Sequence, residues 1–183
     1  ESLVEQGRNF SNKLWNAFRL VKGWDIKPDS EFSSDVLQSN QRSEHWFEGR
    51  LNDTLKDIEE KFSDYRLSEA LMTTYKLIWD DFCSWYLEMV KPAYQQPIDE
   101  STYTATVNHF EALLRLLHPF MPFVTEELWQ HLAQRKDGES ICMAAYPKAT
   151  NSKATDLSRV FECITQIRNL RNAKGLSPKT AFD

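Results

Sequence analysis

The strongest constraint on the fold lies between about Leu67 and Val90. There Leu71, Thr74, Ile78, Phe82, Trp85 and Met89 recur every three or four residues, the spacing that gathers side chains on one face of an α-helix. Pro92 ends this run, because its ring discourages helical geometry at Lys91. The same period returns along the rest of the chain. From about Leu3 to Val21, Phe10, Leu14, Trp15, Ala17, Phe18 and Val21 fall on one side. Gly23 is expected to stop that helix in a left-handed conformation, and residues 24–38 read as a loop rich in turn formers. A second helix starts near Ser39 or Ser43, with Phe47, Leu51, Leu55, Ile58 and Phe62 inward, and breaks at Ser63-Asp64. Asp99 can cap a fourth, with Tyr103, Val107, Phe110, Leu114 and Leu117 facing in. Pro119 interrupts it, and Pro122 suits the first turn of a short fifth helix ending near Leu132. Residues 135–147 read as irregular or briefly extended. A last helix starts near Thr155 or Asp156 and fades at Gly175, where Pro178 suggests a further element.

The expected fold is all-α: an antiparallel bundle of four to five helices with an additional C-terminal helix. Residues 1–147 form the bundle and 148–183 a basic helical tail leading towards a truncated region. With only 5 Gly and 7 Pro in 183 residues, a loop-rich β fold is disfavoured. The 41% apolar and 27% charged residues are ordinary for a soluble globular chain. No apolar run approaches the roughly 18 residues of a membrane span. The chain begins at Glu1 without a secretory pattern and reads as a piece of something longer. Cys83, Cys142 and Cys163 are odd in number and form no CxxC, so each is expected as a small buried apolar residue in a reducing compartment.

Catalytic chemistry is hard to find. Phosphate-cradling glycine loops, HExxH and GxSxG are all missing from the sequence. His45, His109, His118 and His131 have no metal-ligand spacing, and no Glu stands three residues before any of them, so a di-metal bundle is disfavoured. Glu59-Glu60, Asp80-Asp81 and Glu126-Glu127 are adjacent pairs that diverge by about 100° on a helix and read as solvated surface.

The net charge of -5 hides an asymmetry. Residues 1–24 carry four cations against two acids and residues 148–183 carry seven against three, which leaves 25–147 at -11. Basic ends on an acidic body can steer a polyanion to one face. On the first helix Arg8, Asn9, Asn12, Lys13, Asn16 and Arg19 oppose the apolar side, with Lys22 and Trp24 just beyond. Asn can read base edges, Arg and Lys can take phosphates, and an aromatic such as Trp24 can stack a base. The same face also suits a plain solvated helix with some Asn in interhelical bonds, and Trp24 also suits the core. Arg168, Arg171 and Lys174 recur every three residues on the last helix, a phosphate-contact stripe or simply cations placed well for the helix dipole.

Several strings then converge. Arg8-Asn9-Phe10-Ser11-Asn12-Lys13-Leu14-Trp15-Asn16-Ala17 resembles the first helix of the anticodon-binding domain of valyl-tRNA synthetases. Trp79 to Glu88 with Lys91 resembles that domain's central helix, and Leu117-His118-Pro119-Phe120 to Trp129 its next signature. Ser140-Ile141 through Tyr146-Pro147 and Ile167-Arg168-Asn169-Leu170-Arg171 are similar to the segments that follow. Isoleucyl and leucyl relatives share the bundle but usually lack the first-helix run and the Asp81-Phe82-Cys83-Ser84-Trp85-Tyr86 run. Phe18, His45 and Gly49 depart from the family pattern, which bears on the contacts of the second helix.

The resemblance implies a chain that binds the anticodon stem-loop of valine tRNA. The implied tRNA-binding residues are Arg8, Asn9, Asn12, Lys13, Asn16, Arg19, Lys22, Trp24, Arg168, Arg171 and Lys174. It implies a monomeric cytoplasmic partner of catalytic and C-terminal domains lying elsewhere in the parent chain. ATP and Mg²⁺ would serve that catalytic domain, whose HIGH and KMSKS motifs are absent here, and no cofactor is expected in this part. The chain alone is not expected to aminoacylate. The alternatives are a helical scaffold or protein-interaction module without RNA binding, and the equivalent domain of an isoleucyl or leucyl enzyme.

Overall fold

The computed structural model describes residues 2–150 and 155–176; Pro178 lies outside them. The elements run α1 (Leu3–Lys22), β1 (Ile26–Lys27), a 3₁₀ turn (Asp29–Glu31), α2 (Ser34–Ser63) and α3 (Leu67–Lys76). A π-helical stretch (Leu77–Tyr86) then leads directly into α4 (Leu87–Val90). After it come β2 (Ile98–Asp99), α5 (Glu100–Leu117), α6 (Pro122–Leu132), a 3₁₀ turn (Ile141–Met143) and α7 (Ser158–Ala173). The all-α expectation holds, apart from a parallel two-residue pairing of Ile26 with Ile98 and Lys27 with Asp99.

The centre of the bundle is formed by α2, α5 and the helix that runs from α3 through the π-helical stretch to α4, with α1 and α6 packed alongside. Phe47, Phe82, Tyr86 and Phe110 are fully buried there. Their rings tile at centroid separations of 5.0 Å for Phe47–Tyr86, 5.2 Å for Phe82–Phe110 and 5.3 Å for Phe47–Phe82. These spacings suit tilted aromatic packing.

Local signals explain most helix ends. Ser2 and Ser33 accept from the amides of Glu5 and Val36 at the starts of α1 and α2. Asp99 accepts from Thr102 N to start α5, and Pro122 opens α6. The ends of α2 and α7 use the same closing pattern. Arg66 N reaches Lys61 O at 2.8 Å, and Leu176 N reaches Arg171 O at 2.9 Å. That closure needs a left-handed residue, which is Gly175 (φ 64°) after α7 but Tyr65 (φ 57°) after α2.

Two of the three cysteines expected to be buried, Cys142 and Cys163, are exposed, and four expectations about the helices are corrected. First, α2 begins at Ser34, because Ser33 caps it, so the last third of the expected loop is helix. Second, Gly23 is right-handed at φ -87°, its N–H bonding back to the Arg19 and Leu20 carbonyls while Trp24 N–H takes that of Val21. Third, α7 begins at Ser158; Asp156 still serves it, accepting from Ser158 N at 3.0 Å. Fourth, the core stripe of the long helix changes register. Tyr86 and Val90 are buried, while Trp85 and Met89 are only half-buried. The expected 4-4-3-4 stepping assumes 3.6 residues per turn, whereas a π-helix bonds i to i+5 and turns more widely. Steps of four from Thr74 through Ile78, Phe82 and Tyr86 to Val90 therefore stay on one face. The carboxylate pairs also divide. Glu59, Glu60, Asp80 and Glu127 are exposed, but Asp81 and Glu126 are half-buried. Asp81 pairs with Arg50 at 3.0 Å, and burial pushes its carboxyl up against the pull of that guanidinium.

Candidate nucleic-acid interface

Helix α1 buries Phe10, Leu14, Ala17 and Val21, which fixes its rotation against the bundle. Arg8, Asn12, Asn16 and Arg19 are thereby left exposed on the outer face, stepping by four, four and three residues. Among the described residues Arg8 pairs with Glu5, at 3.6 Å. Such an exposed pair is worth at most about 1 kcal/mol and leaves the guanidinium available.

The other predicted residues of this end are held by the protein itself. Lys13 turns inward: its Nζ donates to Trp79 O at 3.1 Å and Ser84 Oγ at 3.0 Å, and sits 4.0 Å from the Trp79 ring centroid. Ser84 Oγ also donates to the same carbonyl at 2.8 Å. Lys13 thus ties α1 to the π-helical stretch. Asn9 is half-buried and lines an apolar cleft with Phe10, Tyr75 and Trp79. The Lys22 ammonium reaches Leu132 O at the end of α6, at 3.4 Å. Trp24 packs against the hydrophobic core under the following loop.

The tail cations stand on α7, which docks through one aromatic side chain. Phe161 stacks on Trp85 at 4.2 Å and meets Trp46 edge-on at 4.9 Å. Arg168 lies over the outer side of that contact, 5.3 Å from the Trp85 ring centroid. Arg171 is half-buried with contacts of its own, and Lys174 is exposed at the end of the helix. Both basic groups therefore lean on the π-helical stretch, α1 through Trp79 and α7 through Trp85. Exposed cations and amides can bind phosphates and base edges. Among the described residues no cluster of three His, Cys, Asp or Glu could hold a metal ion.

Sequence comparison agrees with this architecture. Residues 44–183 match the model of the anticodon-binding domain of tRNA ligases. The chain belongs to that family of helical domains. Its similarity, which includes α1, is to valine–tRNA ligases. It is 50% identical to that of Parabacteroides distasonis, over all of this chain and 21% of that protein. It is 52% identical to the Porphyromonas gingivalis enzyme over 96% of this chain and 20% of the relative. With that of Thermosynechococcus vestitus the figure is 38%, again over 96% and 20%. The chain thus spans about a fifth of the length of the relatives it matches.

Proposed function

We propose that this chain binds the anticodon stem-loop of valine tRNA on behalf of a valine–tRNA ligase. In this reading the outer face of α1 meets the loop: Asn12 and Asn16 reach base edges while Arg8 and Arg19 take phosphates. Arg168 and Lys174 meet the backbone beyond, and Lys13, Lys22 and Trp24 hold the shape of the surface. Charging would belong to a separate domain of the parent with ATP and Mg²⁺, in a monomeric cytoplasmic enzyme. No helix of the described residues is long and apolar enough to cross a membrane. The observation that carries the proposal is the open Arg8–Asn12–Asn16–Arg19 row on a chain of this family.

The test is titration of the chain with a valine anticodon stem-loop, beside the same hairpin with an altered anticodon. Neutralising about four phosphates predicts a roughly 100-fold loss of affinity between about 50 and 200 mM salt. The altered loop should bind more weakly, and Asn12→Ala/Asn16→Ala should erase the difference while leaving the fold intact. Equal, salt-insensitive binding to both hairpins, or none, would overturn the proposal and leave a scaffold role.

A further inference from the structure

Away from α1, three side chains from α6 and the segments on either side of it meet, running from buried Thr125 through half-buried His118 to exposed Cys142. His118 follows α5, Thr125 is on α6, and Cys142 is in the second 3₁₀ turn. His118 Nε2 is 3.1 Å from Cys142 Sγ, and His118 Nδ1 is 2.7 Å from Thr125 Oγ1. The Thr125 hydroxyl donates to Met121 O at 2.8 Å, so its oxygen is left to accept. That assigns the imidazole proton to Nδ1 and turns the Nε2 lone pair towards the thiol. Cys142 is exposed, and its backbone is held: Cys142 N donates to Ser140 Oγ at 3.2 Å, and Ser140 Oγ donates to Glu126 at 2.6 Å. The Ile141 amide also donates to Glu126 at 3.2 Å, and Ile141 is buried. A nucleophile within reach of a base, with the base oriented by a third group, is the arrangement that activates thiols.

We infer that Cys142 is a reversible S-thiolation site, activated by His118 and open to low-molecular-weight disulfides of the glutathione class. The thiol proton passes to His118 Nε2. The Cys142 thiolate attacks one sulfur of the disulfide RSSR, and a Cys142–S–S–R bond forms as the original S–S bond breaks. The departing RS⁻ takes the proton from His118 and leaves as RSH. Cys142 is oxidised to the mixed disulfide while the released sulfur is reduced to a thiol; a second RSH reverses the exchange.

The chain contains its own controls. Cys163 is exposed on α7 without a histidine partner among the described residues. Cys83 is largely buried, and burial pushes its thiol up to about 12. The experiment treats the 183-residue chain with glutathione disulfide and maps each cysteine by mass spectrometry over time. Cys142 should react roughly ten times faster than Cys163, and Cys83 more slowly than either. In urea the two exposed rates should converge, because unfolding separates His118 from the thiol. His118→Gln should bring Cys142 down to the Cys163 rate without altering Cys163. Thr125 is a positioning residue: Thr125→Val should slow Cys142 and Thr125→Ser should restore it. Equal rates for Cys142 and Cys163 in the folded wild-type chain would overturn the inference whatever the variants do.

Discussion

Lys13 shows how a residue's environment redefines its chemistry. By sequence it sits within a polar run that also holds Asn9, Asn12 and Asn16. In the fold its ammonium is shared between a carbonyl, a hydroxyl and an indole face. A partly desolvated cation–π contact and two charge-assisted bonds are together worth about 1–3 kcal/mol. Lys13→Ala is therefore expected to lower stability by about 1–2 kcal/mol in chemical denaturation, whereas exposed Asn12→Ala should stay within about 0.5 kcal/mol. Loss of RNA binding in a Lys13 variant would then report on α1 placement as well as contact. The exposed row Arg8–Asn12–Asn16–Arg19 was legible in the sequence, since amphipathic period alone assigns its face. Lys13 and Lys22 were not, because a long cationic stem can bend inward to a carbonyl contributed by residues tens of positions away.

Among the elements, α5 shows how one cap can join three parts of the chain. Asp99 is buried; its Oδ1 accepts from Thr102 N and Ser101 Oγ, each at 2.9 Å, and its Oδ2 from Asn40 Nδ2 of α2 at 2.8 Å. Those bonds outweigh the cost of burial and hold the carboxyl below its usual range. Asp99→Ala removes a helix cap, worth about 1 kcal/mol, and strands the Asn40 amide. A thermal melt should fall by roughly 4–8 °C, while Asp99→Asn should recover part of it. The cap itself was readable from sequence as Asp before a helical period. Its bond to Asn40 was not, because it spans 59 positions. The late expected start of α2 has a local cause: Ser33, Ser34 and Asp35 are turn formers and good caps alike, and only the Val36 amide decides between them.

For the whole molecule, pH is the most direct probe of the core. His109 packs against Phe47 and Tyr86 at ring separations of 5.1 and 5.5 Å, and burial lowers its imidazole to about 4. The unfolded chain, with its histidine near 6.5, binds the proton more readily. Stability should therefore be flat above about pH 6.5 and decline as pH falls from there towards 4, by up to a few kcal/mol. His109→Gln should flatten that part of the profile measured by urea unfolding, even if its own stability is lower throughout. The overall bundle was legible because five amphipathic periods had to be buried against one another. The change of stripe from Trp85 and Met89 to Tyr86 and Val90 was not, since the apolar period carries no sign of where the turn widens.

That widened turn also acts as a reservoir of chain length. Compared with regular α-helix, the π-helical stretch takes up one extra residue between Phe82 and Tyr86 while delivering the same face to the core. A chain one residue shorter there, wound as ordinary α-helix, would bring the tyrosine and the following valine to the same places. Deletion of a single residue in this segment is thus absorbed by winding and leaves the aromatic tiling, and the helices resting on it, in register.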